Sequence, residues 1–323
     1  MKQLTLSQSI EGFLLEKQAQ HLSPHTVADY TNAFRKLQAY LGTDVPFAGI
    51  TAAQVKGFLG DLSTPRAPNG AAKRPVKGLS NKTILNIHTA LSALWTWAVA
   101  EEIVGQHLLR QIPRPKPEKR AITPFSEEDI KTLLANGERS RTYTRPGKRA
   151  CDHAVATALR NRTIILLLLD TGVRASELCG LAIKDADLTN KRILVLGKGN
   201  KERALPISPR TAKTLWRYLT TERKDEPVNA PLFLGSEGDP LNRDALLKLM
   251  IRLGAKAGVR DCHPHRFRHT FAVNFLRNGG NAFELQMALG HTTLQMVQTY
   301  LSLAQTDLDA AHRKASPVEN WRL

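Results

Sequence analysis

The stretch 113–120 limits the fold of this chain more than any other, because its sequence is PRPKPEKR. Prolines at alternate positions keep the backbone extended and exclude a helix, so the stretch is predicted to be a semi-rigid spacer. A chain of 323 residues is long enough for two domains that each bury a hydrophobic core. We therefore predict a first domain at 1–112, a linker at 113–122 and a second domain at 123–323.

Helix-start signals recur through the first domain. One helix is predicted at 6–20, and three more begin after the capping residues Ser23, Thr51 and Ser80. Proline follows Ser23 directly, which is favourable at the first position of a helix. Apolar residues recur at helical spacing within each segment. The first domain is therefore predicted to be small and all-α.

The second domain combines helices with a few short strands. The glycine-rich turn GKGNK at 197–201 separates two strand-like segments, a pattern typical of a β-hairpin. The predicted fold class is mainly α with a small antiparallel β-sheet. Strands are predicted at 183–188, 192–196 and 203–207, and helices at 126–134, 154–170, 209–224, 243–257, 264–277, 282–289, 293–300 and 304–314.

The charge balance predicts a polyanionic partner. The chain has 46 lysines and arginines against 29 aspartates and glutamates, which gives a net charge of +17 and a pI near 10.0. The charge alone does not distinguish DNA from RNA or from an anionic membrane. A membrane span is excluded because the longest aliphatic run, 164–169, has six residues.

Two basic segments lie between predicted helices. The loop at 63–79 is rich in proline, glycine and alanine, and its charged residues are all basic. The insertion at 137–152 has five basic residues between Glu138 and Asp152 and no acidic residue among them. It either contacts a phosphate backbone or is a flexible surface loop, and the sequence does not decide between the two. Residues of the first loop and of the helix after it are predicted to contact DNA: Lys73, Arg74, Lys77 and Lys82.

The N-terminal residues and the cysteines predict a cytoplasmic protein. The opening MKQLTLSQSIEGFLLEKQ is too polar for a signal peptide. Cys151, Cys179 and Cys262 are widely separated and lack the spacing of a metal site. We interpret them as reduced thiols.

The residues with the clearest chemistry lie between 263 and 300. His265 and Arg268 are spaced i, i+3, so they share one face of the predicted helix. His291 follows the end of the next helix, and Tyr300 lies one short helix further on. Arginines can clamp a phosphodiester, histidine can move protons, and a tyrosine hydroxyl can attack phosphorus. With no acidic cluster among them, these residues predict phosphate chemistry without a metal or other cofactor.

A zinc site is the alternative for this stretch. His263, His265, His269 and His291 are potential ligands, and His265 and His269 have the i, i+4 spacing of helical zinc sites. However, no glutamate follows His265, and two arginines between these histidines would repel a cation. We therefore predict no metal and interpret His269 as a structural residue behind the site.

Five motifs occur in order along the chain: TGVRASELCGL, LGKGNKERALPI, HPHRFRHTFA, ALGHTT and TY. Each is weak alone, but together they make the chain resemble the tyrosine recombinase (phage integrase) family. Residues 6–112 are also similar to the helical core-binding domain of that family, which leaves 123–323 as the catalytic domain. The resemblance implies an enzyme that recombines DNA at specific sites. It implies catalytic roles for Arg174, Lys198, His265, Arg268, His291 and Tyr300, with Glu177 in support.

The resemblance also implies how these residues share the reaction. Arg174 and Arg268 would bind the negative charge that gathers on the phosphate, a role that Mg²⁺ has in other enzymes. Lys198 would protonate the leaving 5′-oxygen, and His265 would act as the base for the tyrosine hydroxyl. His291 would donate a hydrogen bond to the scissile phosphate.

The implied reaction joins Tyr300 to the DNA as a 3′-phosphotyrosyl ester, which keeps the bond energy, so rejoining needs no ATP. The implied partner is double-stranded DNA with specific recombination sites. A homotetramer would bind two paired sites and pass through a Holliday junction, with an accessory DNA-bending or directionality factor as a further partner. The resemblance also implies a prokaryotic protein that acts on DNA in the cytoplasm.

Two other functions are consistent with these residues. A type IB topoisomerase shares the chemistry but acts alone and without paired sites. A catalytically silent DNA-binding protein could have the same fold. The six residues argue against the silent protein, and the compact size with a helical first domain favours the recombinase.

The residues after Tyr300 also carry a prediction. The segment 304–314 has an apolar stripe too thin for a stable isolated helix, and Trp321 lies almost at the terminus. Such a segment needs a docking surface, in its own subunit or in the next, and the resemblance implies the next. The alternative is a frayed terminus.

Overall fold

The structure is a computed structural model that describes residues 4–41, 44–65, 78–118, 123–137, 157–197, 201–235, 237–291, 293–304, 312 and 316–321. The chain divides into two compact units, Met1–Arg120 and Ala121–Leu323, each with a hydrophobic core of its own. Several of the predictions above fall outside the described residues: Lys198, the basic residues Lys73, Arg74 and Lys77, and most of 137–152 and 304–314.

Helices make up the first unit, and capping side chains fix where they begin. The Thr5 hydroxyl accepts from the Gln8 N–H at 3.3 Å, and Thr51 caps the third helix in the same way. Phe13 lies at the centre of the core, and its ring meets that of Phe34 edge-on at 5.5 Å. The described helices of this unit are α1 (Leu6–Ala19), α2 (Pro24–Leu41), α3 (Ala52–Ser63) and α4 (Asn81–Ala100), with 3-10 helices at Phe47–Gly49 and Leu108–Gln111.

The second unit combines helices with three short strands. Its described helices are α5 (Glu127–Gly137), α6 (Ala158–Thr171), α7 (Ala175–Cys179), α8 (Pro209–Glu222), α9 (Arg243–Ala257), α10 (Pro264–Arg277), α11 (Ala282–Leu289), α12 (Gln295–Ala304) and α13 (Pro317–Trp321), and its strands are β1 (Ala186–Asp187), β2 (Arg192–Leu196) and β3 (Glu202–Pro206). The apolar run of α6 is buried on all sides, and α6 packs against both α8 and α10. Among the described residues, no helix is long and apolar enough to cross a membrane.

The three strands form one antiparallel sheet in the order β1–β2–β3. β2 pairs with β3 from Arg192 opposite Pro206 to Leu196 opposite Glu202. Side chains of β2 alternate between the core and solvent, as expected for a sheet covered on one face. The predicted fold class, mainly α with a small antiparallel β-sheet, is confirmed.

The first predicted strand, 183–188, is wrong in its first half. A 3-10 helix, Ile183–Asp185, replaces it, and only Ala186–Asp187 pairs with β2. The N–H groups of Ile183 and Lys184 donate to loop carbonyls at 3.0 and 2.8 Å. These donors are therefore unavailable to a neighbouring strand.

Candidate active site

Helix ends in the second unit bring together five of the six predicted catalytic residues. These are Arg174 before α7, His265 and Arg268 in α10, His291 after α11 and Tyr300 in α12. The sixth, Lys198, follows β2 in the sequence and lies outside the described residues. Next to it in the sequence, the Gly197 N–H donates to the Lys201 carbonyl at 2.8 Å.

Two glycines in the left-handed conformation end the helices that frame the site. Gly172 ends α6 at φ +61°, and Gly290 ends α11 at φ +62°. Helix ends of this kind leave carbonyl groups without partners inside the helix. The two arginines predicted to be catalytic bind these carbonyls: Arg268 donates to the Gly172 carbonyl at 2.8 Å, and Arg174 donates to the Gly290 carbonyl at 3.1 Å.

Gly172 leaves no room for a side chain. A Cβ there would lie 2.4 Å from Cδ1 of Phe271 and 3.0 Å from Cδ2 of Leu289. We expect Gly172→Ala to lower the free energy of unfolding by about 2–4 kcal/mol, since left-handed strain and steric overlap add together. Gly258 is the matched control, because it ends α9 at φ +70° and a Cβ there meets nothing within 4 Å. Gly258→Ala should lower the free energy of unfolding by about 1–2 kcal/mol, as measured by denaturant unfolding. Equal losses in both variants would contradict the steric overlap predicted at position 172.

Arg268 is held firmly, with 3% of its surface exposed. Its Nη1 donates to the Gly172 carbonyl, and its Nη2 donates to the Leu289 carbonyl and to Nε2 of His291, each at 2.8 Å. Burial, and then the charge of Arg174, lower the pKa of Arg268 to about 10. The side chain is therefore a cation at neutral pH, and its position is fixed before any anion binds.

Glu177 holds two arginines in place. Its side chain is 3% exposed, and it accepts from both Nη1 and the backbone N–H of Arg174 at 2.8 Å. Arg203, in β3, donates to both carboxylate oxygens at 3.0 and 2.8 Å. Burial would raise the pKa of Glu177, but the hydrogen bonds from Arg203 and Arg174 lower it below its ordinary value. The carboxylate is therefore charged, and it orients the Arg174 guanidinium.

Arg203 is not among the site residues predicted from the sequence. Its Nε also donates to the Ala288 carbonyl at 3.0 Å, so this side chain joins β3 to α7 and to the end of α11. The only sequence signal was a basic residue in a predicted strand directly after a glycine-rich turn, and solvated strand residues share that signal.

His291 contacts Arg268 through one ring nitrogen. Arginine can only donate, so Nε2 of His291 accepts, and in the neutral ring the hydrogen is on Nδ1. Burial, and then the charge of Arg268, lower the pKa of His291 to about 4, so the ring is neutral. Nδ1 is buried and has no hydrogen-bond partner among the described residues. A buried donor without a partner is costly, so Nδ1 is available to an incoming acceptor.

Tyr300 lies in the small core between α10, α11 and α12, with 5% of its surface exposed. Its hydroxyl is 2.8 Å from Nδ1 of His269. Its ring is nearly parallel to that of His291, with 12° between the planes and 6.4 Å between the centroids. Burial raises the pKa of the Tyr300 hydroxyl, although Arg268 and Arg174 lower it. The hydroxyl is therefore protonated at neutral pH and held in one position.

The structure corrects the interpretation of His269 as a residue behind the site, because His269 contacts the Tyr300 hydroxyl directly. His265, the base implied by the resemblance, is exposed and makes no hydrogen bond within the described part of the chain. The ring centroids of His265 and His269 are 5.6 Å apart.

The histidines considered as zinc ligands have other partners. Nδ1 of His263 accepts the Arg266 N–H at 3.2 Å and so caps α10. His269 and His291 are bound to the side chains named above. In the described ranges, no three His, Cys, Asp or Glu side chains are arranged to hold a metal ion.

Of the residues predicted to contact DNA, Lys82 lies in the described ranges. It is exposed in the first turn of α4. Lys73, Arg74 and Lys77 precede it in the sequence but fall outside those ranges.

Comparison with known proteins identifies the family. The phage integrase family matches residues 127–307, and the phage integrase SAM-like domain matches residues 9–112. This chain belongs to the phage integrase family. The match to 127–307 includes all the residues of the candidate active site.

Two relatives named as tyrosine recombinases match this chain over most of its length. Tyrosine recombinase XerC from Myxococcus xanthus is 29% identical over 320 residues, which cover 94% of this chain and 97% of the relative. Tyrosine recombinase XerC from Bacillus pumilus is 31% identical over 249 residues, which cover 75% of this chain and 77% of the relative.

Solved structures of family members share the fold. The Tn1549 transposon integrase in complex with a circular intermediate DNA has a TM-score of 0.71 at 20% identity, covering 95% of this chain and 99% of that one. The XerH site-specific recombinase bound to palindromic difH substrate has a TM-score of 0.69 at 22% identity, covering 95% and 84%.

The comparisons decide between the three functions raised by the sequence. The protein is a phage integrase family enzyme that carries out site-specific recombination, as predicted. A topoisomerase or a silent DNA-binding protein is not favoured.

Proposed function

We propose that this enzyme binds double-stranded DNA at specific recombination sites and cuts one strand per subunit through Tyr300. The observation that carries the proposal is the convergence of Arg174, Arg268 and His291 beside the Tyr300 hydroxyl. The net charge of +17 suits a polyanion. Solved relatives in complex with DNA add support.

The arginines have donors left for a phosphate. A guanidinium has five N–H groups, and Arg268 uses three and Arg174 two on the partners described above. Attack on phosphorus gathers charge on the non-bridging oxygens, which these remaining donors would bind. His291 would donate from Nδ1 to the same phosphate. His265, exposed beside them, is proposed as a further phosphate contact.

The covalent step conserves the phosphodiester bond energy. The Tyr300 oxygen attacks phosphorus, the bond to the 5′-oxygen breaks, and Lys198 is proposed to protonate that oxygen. Rejoining is the reverse, with a 5′-hydroxyl attacking the phosphotyrosyl ester. No cofactor takes part in this scheme.

Covalent trapping on genomic DNA tests the proposed function. Fragments left attached to the protein after denaturation would be recovered and sequenced at their ends. A recombinase should give adducts at one sequence built of inverted half-sites. Adducts scattered without sequence preference, with relaxation of supercoiled DNA by the monomer, would support a topoisomerase instead.

We propose that four copies assemble on two paired DNA sites and that the C-terminal residues join them. Val318 and Trp321 of α13 are 58% and 71% exposed, which is unusual for large apolar side chains. A second copy of this chain is the proposed partner of this face.

Truncation after Ala304 should weaken paired-site assembly but not binding to a single site, and Trp321→Ala alone should act in the same direction. Trp216→Ala is the matched control, because Trp216 is a 53% exposed tryptophan of α8. Native gels with one-site and two-site DNA would measure both steps. Full paired assembly by the truncated chain would contradict the proposed role of the tail.

Further partners and the cellular location are proposals as well. Lys82 is proposed to contact DNA together with Lys73, Arg74 and Lys77. We also propose an accessory DNA-bending or directionality factor and a cytoplasmic location, which bacterial relatives support.

A further inference from the structure

The position of His269 relative to Tyr300 points to a role beyond support. His269 follows Arg268 directly in α10, and its ring is half-buried against α12. Its Nδ1 lies 2.8 Å from the Tyr300 oxygen, and the two ring centroids are 5.6 Å apart. His269 is the only hydrogen-bond partner of this hydroxyl among the described residues.

The direction of this hydrogen bond follows from burial. A hydroxyl that is buried needs an acceptor for its hydrogen, and Nδ1 is the acceptor within reach. If Nδ1 carried a hydrogen, the hydrogen of the Tyr300 hydroxyl would have no acceptor in the described residues. The hydroxyl therefore donates, and the neutral His269 ring has its hydrogen on Nε2. Burial, and then the positive charge of nearby side chains, lower the pKa of His269 to about 4, which agrees with a neutral ring.

We propose that His269 takes the proton of the Tyr300 hydroxyl as that oxygen attacks phosphorus. The inference rests on the proposed function of Tyr300 as the nucleophile. The new bond joins the phenolic oxygen to phosphorus, the bond to the 5′-oxygen breaks, and the phenolic proton moves to Nδ1 of His269. The leaving 5′-oxygen takes its proton from Lys198, as proposed above. On rejoining, the 5′-hydroxyl attacks and gives that proton back to Lys198, the phenolate leaves, and Nδ1 returns the proton to the phenolate. Atoms and charge are therefore restored after one cycle.

A phosphate in the site makes His269 a stronger base. The resting ring is a weak base because it lies in a partly dry site near Arg268 and two other histidines. A bound phosphodiester brings a negative charge to Arg268, which offsets the effect of that arginine on the ring. Proton transfer is thereby favoured when substrate is present.

His265 is less suited to this step. It is exposed, and no hydrogen bond joins it to Tyr300 within the described residues. Its ring centroid is 5.6 Å from that of His269. The two histidines thus make a matched pair for an experiment, with one in contact with the nucleophile and the other a helical turn away.

The experiment compares His269→Asn and His269→Phe with His265→Asn. Asparagine can accept a hydrogen bond near the position of Nδ1 but cannot take a proton, and phenylalanine keeps the ring packing without an acceptor. The probe is a nicked duplex carrying the site recovered by covalent trapping, and the readout is the rate of adduct formation. We expect both His269 variants to slow the adduct about 10²–10⁴-fold, with binding to the same duplex unchanged. His265→Asn should have a smaller effect. If the phenylalanine variant misfolds, the asparagine variant alone decides.

Two altered reactants separate proton removal from other roles. A sulfur atom in place of the 5′-oxygen leaves without protonation, so it should not restore the rate of adduct formation in the His269 variants. A fluorinated tyrosine at position 300 loses its proton more readily, so it should restore much of the rate in His269→Asn. Wild-type rates in the His269 variants, rescue by sulfur, or no rescue by the fluorinated tyrosine would each overturn the inference while the proposed function stands. Absence of any adduct in the wild type would refute the proposed function, and the inference with it.

Discussion

Tyr300→Phe is expected to fold and to bind DNA but to form no covalent adduct with a nicked duplex. The substitution removes the atom that attacks phosphorus and leaves the ring in its core between α10, α11 and α12. The cost to stability is small, about 1 kcal/mol, because a single buried hydrogen bond to His269 is lost. Adduct formation should therefore fall to background, which denaturing gels would measure.

Tyr218→Phe is the matched control for this prediction. Tyr218 is also buried in the second unit, and its hydroxyl donates to the Leu232 carbonyl at 3.0 Å. Its removal should cost a similar free energy of unfolding and leave cleavage unchanged. An adduct at wild-type yield in Tyr300→Phe would mean that another side chain is the nucleophile.

Most of the helices could be predicted from the sequence because their signals are local, although α7 and α13 were not. Ser80 begins α4 by accepting the Thr83 N–H, and Pro264 begins α10 at the predicted residue. The predicted range 264–277 coincides with α10 because a capping residue, a proline and an apolar period agree within one segment. The predicted range 293–300 is wrong at both ends, since α12 begins at Gln295 and ends at Ala304.

The details of the site depend on contacts distant in sequence. Arg203 is 26 residues from Glu177 and 85 from Ala288, and no local pattern marks either contact. His265 and His269 lie one turn apart in α10, and the resemblance assigned the role of base to His265. Which of them meets Tyr300 depends on how α12 packs against α10, across 31 residues of chain. Motif order predicted which residues converge, whereas packing determines which atoms touch.

Arg268→Lys is expected to reduce cleavage about 10²–10³-fold, the size of effect seen when one fixed donor to a developing oxyanion is lost. Arg268 binds the ends of two helices at once, through the Gly172 and Leu289 carbonyls, and also binds His291. A single ammonium group lacks the planar fork that these three acceptors require. Each carbonyl left without a donor costs about 1–3 kcal/mol. The variant should therefore also be less stable.

The buried position makes the lysine a poor substitute in a second way. Burial lowers the pKa of Arg268 to about 10, which still leaves a cation at neutral pH. A lysine begins from a lower pKa and is lowered by the same burial, so it loses its charge more readily as pH rises. The deficit of Arg268→Lys relative to wild type should therefore widen with increasing pH in single-turnover cleavage of the nicked duplex.

Arg223→Lys separates loss of stability from loss of chemistry. Arg223 is also buried, and it donates to the Pro231 carbonyl at 2.8 Å and to Glu226 at 3.0 Å, away from the residues proposed to bind phosphate. Its substitution should lower the unfolding midpoint but leave the cleavage rate of the folded protein at the wild-type level. A cleavage rate near wild type in Arg268→Lys would mean that charge alone suffices at this position. The planar fork of Arg268 would then serve the fold, through the carbonyls of the two helix ends, and a positive charge at this position would be enough to stabilise the phosphate.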